Sequence, residues 1–184
     1  MQIREENRRE IEEKLKNLGD YVKIDYLERC LKKQLNFDAR KFVLLKLADL
    51  YETKKMFLDA AKMVLSAANI NTTFQGKMND FVRSAGLFVQ GGDFNNADST
   101  FEKALVCGNE KQKKEIKMMK LKNYSDQAEF YLKNDKRKHA TATYEKLLSM
   151  DINLNEKRTM QETLLGLYEK LGKIRDYYSL KRIM

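Results

Sequence analysis

The chain has 184 residues, 42% hydrophobic and 34% charged, with a formal net charge of +9. That length suits one domain or one repeat array, which buries roughly 70% of the surface its unfolded form exposes and needs no disulfide or metal to hold a core. No apolar run approaches the ~18 residues that cross a bilayer, and the charged opening Met1 to Glu10 lacks a secretory pattern, so neither membrane insertion nor a secretory signal is expected, and a cytoplasmic location is.

Zero Pro and eight Gly, with abundant Leu, Lys, Glu, Ala and Met, predict an all-α chain. Ile3, Ile11, Leu15 and Leu18 have helical spacing up to Gly19-Asp20, and Tyr21, Ile24, Leu27, Leu31 and Leu35 mark a second helix. Together, 1–37 read as a degenerate first pair. The next segment, 38–71, opens on the N-cap candidates Asn36 and Asp38, whose side-chain oxygens can accept the free amides of a helix starting near Ala39. It carries Leu44, Ala48, Tyr51, Ala60, Val64 and Ala67. In 72–108 the same pattern returns 37 residues later as Phe81, Ala85, Phe88, Ala97, Phe101 and Ala104, after Thr72 or Thr73 as cap and with Gly91-Gly92-Asp93 as the turn.

The steps are four, three, nine, four and three residues in both segments. Small residues let helix backbones approach, bulky ones fill the gap, and the nine-residue step jumps a turn onto a partner helix. In 109–152, Tyr124, Ala128, Tyr131, Ala140, Tyr144 and Leu147 repeat it after a shift of 43, so about six extra residues lengthen the first helix, a long one from Glu110 to Lys133. The last pair, 153–184, is weaker: Asn153 or Asn155 caps it, Gly172 makes its turn, and Gln161, Leu165, Tyr168, Tyr177 and Lys181 hold the pattern positions. Leu180, Ile183 and Met184 are expected on an apolar stripe with no following helix to cover it, to be packed against another copy through self-association, against neighbouring helices of the same chain, or against a further segment.

A period in this range signals stacked helix pairs. Leu47-Ala48 with Tyr51 and Ala60, and Ala85 with Phe88, Ala97, Phe101 and Ala104, resemble the tetratricopeptide repeat (TPR). Leu44 or Phe81 stands for the usual first Trp, and the closing Pro is missing, so the array is a divergent one, within a wider group that includes SNAP-type vesicle-fusion adaptors. The resemblance implies a right-handed α-solenoid of about five antiparallel helix pairs, with a concave surface on the first helices that takes a peptide or a helix. The family's groove positions fall on Leu45, Asp49 and Glu52, on Val82, Gly86 and Val89, and on Lys122, Ser125 and Glu129. Its carboxylate clamp is not matched, because Leu45 and Asp49 replace the clamp's first Lys and Asn and only Arg83 and Lys122 resemble its basic members.

Charge concentrates between Glu110 and His139, with ten Lys or Arg against five Asp or Glu. Lys111, Lys113, Lys114, Lys117, Lys120 and Lys122 lie in the lengthened helix, and Lys136, Arg137 and Lys138 follow. These are candidate anion-binding residues for an alternative reading as an RNA- or DNA-binding module, weighed against a plainly solvated helix face. The Tyr residues fall mostly on core positions and are read as packing.

No catalytic or metal residue and no cofactor is expected. His139 stands alone in a basic run, Cys30 and Cys107 lack metal spacing, and Gly91-Gly92 lacks the strand and Lys-Ser or Lys-Thr of a phosphate loop. The expected function is that of a non-enzymatic adaptor or scaffold for a protein partner.

Overall fold

A computed structural model describes residues 7–184, and Ile3 of the first predicted stripe lies outside them. The described residues form ten helices and no strand: α1 (Arg8–Leu15), α2 (Asp20–Leu31), α3 (Phe37–Thr53), α4 (Phe57–Ile70), α5 (Phe74–Gln90), α6 (Phe94–Cys107), α7 (Glu110–Lys133), α8 (Arg137–Leu148), α9 (Leu154–Lys170) and α10 (Ile174–Ile183). They group into two compact units, Met1–Ile116 and Lys117–Met184, with the boundary inside α7. In the first unit α3 packs on α2 and α4, α4 on α5 and α5 on α6, while α1 lies on α3. In the second, α8 packs on α9 and α9 on α10.

One turn closes four helix-to-helix connections, α3–α4, α5–α6, α7–α8 and α9–α10. The amides of Met56, Asp93, Lys136 and Lys173 donate to the carbonyls of Tyr51, Phe88, Tyr131 and Tyr168, at 2.9, 2.9, 2.8 and 2.9 Å. The preceding amides, of Lys55, Gly92, Asp135 and Gly172, donate to Glu52, Val89, Leu132 and Glu169. Those four residues alone have positive φ among the described ones, at 58°, 79°, 52° and 69°. This double bond with a left-handed residue is the Schellman helix stop, which satisfies carbonyls that a helix end leaves open. The turns recur at 37, 43 and 37 residues, the shifts of the apolar pattern. They explain the nine-residue step, because Ala60, Ala97, Ala140 and Tyr177 each donate the first helical bond to Met56, Asp93, Lys136 and Lys173.

The starts are equally regular. Asn36, Thr73 and Asn153 accept the amides of Ala39, Gly76 and Glu156 through their side chains. Asn109 accepts that of Gln112, whose side chain in turn accepts from the Asn109 amide, both at 2.9 Å, a reciprocal cap. Asp38, Thr72 and Asn155 are not caps; each of the four capping residues instead sits directly before its helix. α3, α5 and α9 have 17 residues each and α7 has 24. The insertion is thus seven residues, two turns of helix, and a linker one residue shorter before α7 brings the shift to the expected six. Its last residue, Ile116, is buried in the first unit, and Gln112 donates to Gln75 at 2.8 Å there.

Alanines of the pattern, Ala48, Ala60, Ala67, Ala85, Ala97, Ala104, Ala128 and Ala140, are all fully buried. The first pair departs from the rest. α1 stops at Leu15, Gly19 has φ −74°, and Leu18 donates to Leu15 rather than anchoring a left-handed turn. Leu35 lies beyond α2 and Tyr21 is exposed. No helix among the described residues is long and apolar enough to cross a membrane.

Candidate interaction site

Side chains tie the second helix of a pair to the first helix of the next. Tyr51 on α3 donates to Glu28 on α2, and Tyr168 on α9 donates to Glu145 on α8 at 2.9 Å, both across 23 residues. Ser84 on α5 donates to the Ala61 carbonyl on α4 at the same separation. Burial, then the Glu28 carboxylate, pushes the Tyr51 phenol above its ordinary range, and burial with Glu145 does the same to Tyr168. Lys173 stands by Glu145 and over the Tyr168 ring, and Lys54 pairs with Asp20 at 2.9 Å over the Tyr21 ring.

Two recesses open on first helices. In the first unit a recess of about 320 Å³ lies between α1 and α3, lined by Arg8, Asp38, Phe42, Leu45, Lys46 and Asp49 among others. Arg8 pairs with Asp38 at 3.7 Å and caps the Phe42 ring, so opposite charges already meet across it. In the second unit a recess of about 350 Å³ is walled by Ser125 and Glu129 on α7 and by Asn155, Thr159 and Thr163 on α9. Tyr144 and Leu147 of α8 also line it. Asn155, Thr159 and Thr163 stand 117 residues after Asp38, Phe42 and Lys46, the sum of the three repeat shifts. The two recesses therefore use the same face of a first helix.

The predicted groove residues divide accordingly. Leu45 and Asp49 line the first recess, and Ser125 and Glu129 line the second. Lys122 is exposed and Val82 partly so. Asp49 and Glu52 are engaged by Arg83, whose Nη2 lies 2.6 Å from Asp49 and also bonds Glu52. Burial works against the Arg83 charge, but the two carboxylates outweigh it and raise its pKa. Gly86 and Val89 correct the prediction: both are buried, within an unbroken buried run from Ser84 to Val89. α5 packs on α4 and α6 together, so those positions have no open face. Sequence reasoning missed Asn155, Thr159 and Thr163, and it assigned Tyr144 to packing alone; the polar residues recurring every fourth position on α9 were the available signal.

Of the basic residues, Lys111, Lys114, Lys117, Lys136, Arg137 and Lys138 are exposed. Lys113 pairs with Glu110 at 2.8 Å and Arg137 with Asp135 at 2.7 Å, while Lys120 also has an interaction partner. His139 lies against the Tyr131 ring, with centroids 5.2 Å apart. Cys30 is buried and Cys107 partly so, both as free thiols. Of the C-terminal apolar residues, Leu180 is buried, contrary to the expected stripe, because α10 packs on α9; Ile183 and Met184 are exposed. No group of three or more His, Cys, Asp or Glu able to hold a metal ion occurs among the described residues. No protein-family model matches the chain, and no curated protein matches it in sequence.

Proposed function

We propose that the chain is a non-enzymatic adaptor, a divergent TPR-like array of stacked helix pairs that binds a protein segment along its first helices. The observation that carries this reading is the shared register of the two recesses: the same face of a first helix is hollow in two pairs 117 residues apart. Repeat arrays present such faces in series, and extended or helical segments bind along them. The mixed lining, hydroxyls and carboxylates around Leu, Tyr and Met side chains, suits a peptide with both polar and apolar residues better than a small apolar ligand.

The nucleic-acid reading draws support from the exposed lysines on the inserted turns of α7. Capture of partners from cell lysate, with and without nuclease, separates the two. A discrete protein should be retained after nuclease and by a Lys113→Glu, Lys117→Glu, Lys120→Glu variant, and lost when Ser125 and Thr159 are both changed to bulky Trp. Retention that vanishes with nuclease, or with the lysine changes alone, would move the function to nucleic acid.

A further inference from the structure

The recess of the second unit is chemically one-sided. Its lining includes two carboxylates, Glu129 and Glu156, and no Lys or Arg. Glu129 has a single weak neighbour, Lys133 at 3.6 Å, with both side chains largely exposed, and the Glu156 side chain makes no ion pair among the described residues. The recess of the first unit differs, since Arg8 and Lys46 already supply cations there.

A second observation points into the same space. Tyr144 lines the recess and is 8% exposed, yet its hydroxyl makes no hydrogen bond to any described residue. The pattern position it occupies holds Val64 and Phe101 in the two earlier pairs, so packing there does not require a hydroxyl. Tyr51 and Tyr168, by contrast, each have a carboxylate partner. That hydroxyl is not sealed from solvent, so it opens toward the recess, where a donor on a bound segment can take the place of water. Burial, then Glu129, pushes its pKa above the ordinary phenol range, so it stays neutral beside the acid.

We propose that this recess receives an arginine side chain from the bound protein segment, resting on the adaptor reading above. The aliphatic stem would lie on Met160, which is partly exposed. The guanidinium, with five donors in a fixed fork, would reach Glu129, Glu156 and the Tyr144 oxygen together. A lysine carries its charge at a single point and cannot serve three acceptors spread around a rim equally well. The site selects a basic partner although the chain itself is basic.

Selection of random 12-residue peptides on the full chain, followed by titration of synthetic copies, tests this. Enriched peptides should share an arginine. Its replacement by citrulline, which is isosteric and uncharged, should weaken binding at least tenfold, and by lysine about threefold or more. Glu129→Gln with Glu156→Gln should cost at least tenfold while leaving the melting temperature unchanged. Tyr144→Phe should weaken the arginine peptide severalfold and leave a norleucine analogue, which has no donor, nearly unaffected. Binders that lack arginine, yet are lost with the Ser125→Trp, Thr159→Trp variant, would overturn the arginine proposal and leave the adaptor reading standing. Failure to select any binder sensitive to that variant would overturn both.

Discussion

At the scale of single residues, two of the ties between successive helices are hydrogen bonds from phenols to carboxylates, Tyr51 to Glu28 and Tyr168 to Glu145. Tyr51 is 6% exposed and Tyr168 7% exposed, while Glu28 and Glu145 lie at the surface. Removing either hydroxyl leaves a carboxylate that water can still reach, so Tyr51→Phe and Tyr168→Phe should each cost about 1 to 2 kcal/mol, measurable by urea unfolding. Both phenols are held protonated by the fold. Their contribution is therefore complete below pH ~10, where an unfolded tyrosine begins to ionise, and declines as pH rises through the higher folded values. Stability of the native chain should fall more steeply above pH 10 than that of the double Phe variant; parallel curves would show that these bonds carry no such linkage. The tyrosines were legible as pattern positions. Their partners were not, because Glu28 and Glu145 look like any solvated charge on a helix face until a second helix is placed against them. Arg83 with Asp49 and Glu52 escaped in the same way.

At the scale of elements, the repeated unit is a helix closed by a left-handed residue. Two of the four such positions are glycine and two are Lys55 and Asp135. An L side chain in that conformation costs roughly 1 to 2 kcal/mol, so Gly92→Ala and Gly172→Ala should destabilise by about that amount. Lys55→Gly should gain up to ~1 kcal/mol, less the entropy that glycine adds to the unfolded chain. Equal stability of all three variants in thermal unfolding would contradict the turn geometry. The helix pairs were readable because the nine-residue step and the buried alanines recur together. The stop itself was hidden at Lys55 and Asp135, where no glycine announces it. The insertion in α7 was legible as extra length, whereas its size of two whole turns needed the cap at Asn109 to be located. Two turns nearly preserve the angular register of a helix, which keeps Tyr124, Ala128 and Tyr131 on one buried face.

At the scale of the whole molecule, we propose recognition on the first helices, although the most conspicuous global feature is a net charge of +9. The lining of the two recesses was only partly legible in the sequence. Leu45, Asp49, Ser125 and Glu129 line recesses, but Gly86 and Val89 are enclosed between flanking helices, a depth that a repeat alignment does not carry. The most direct test is amide hydrogen exchange on the full chain with and without a captured protein segment. Slowed exchange is expected in α7 from about Ser125 onward and in the first turns of α9, with α10 little changed. Protection concentrated between Lys111 and Lys122 instead would contradict it and place the function on the basic turns of α7.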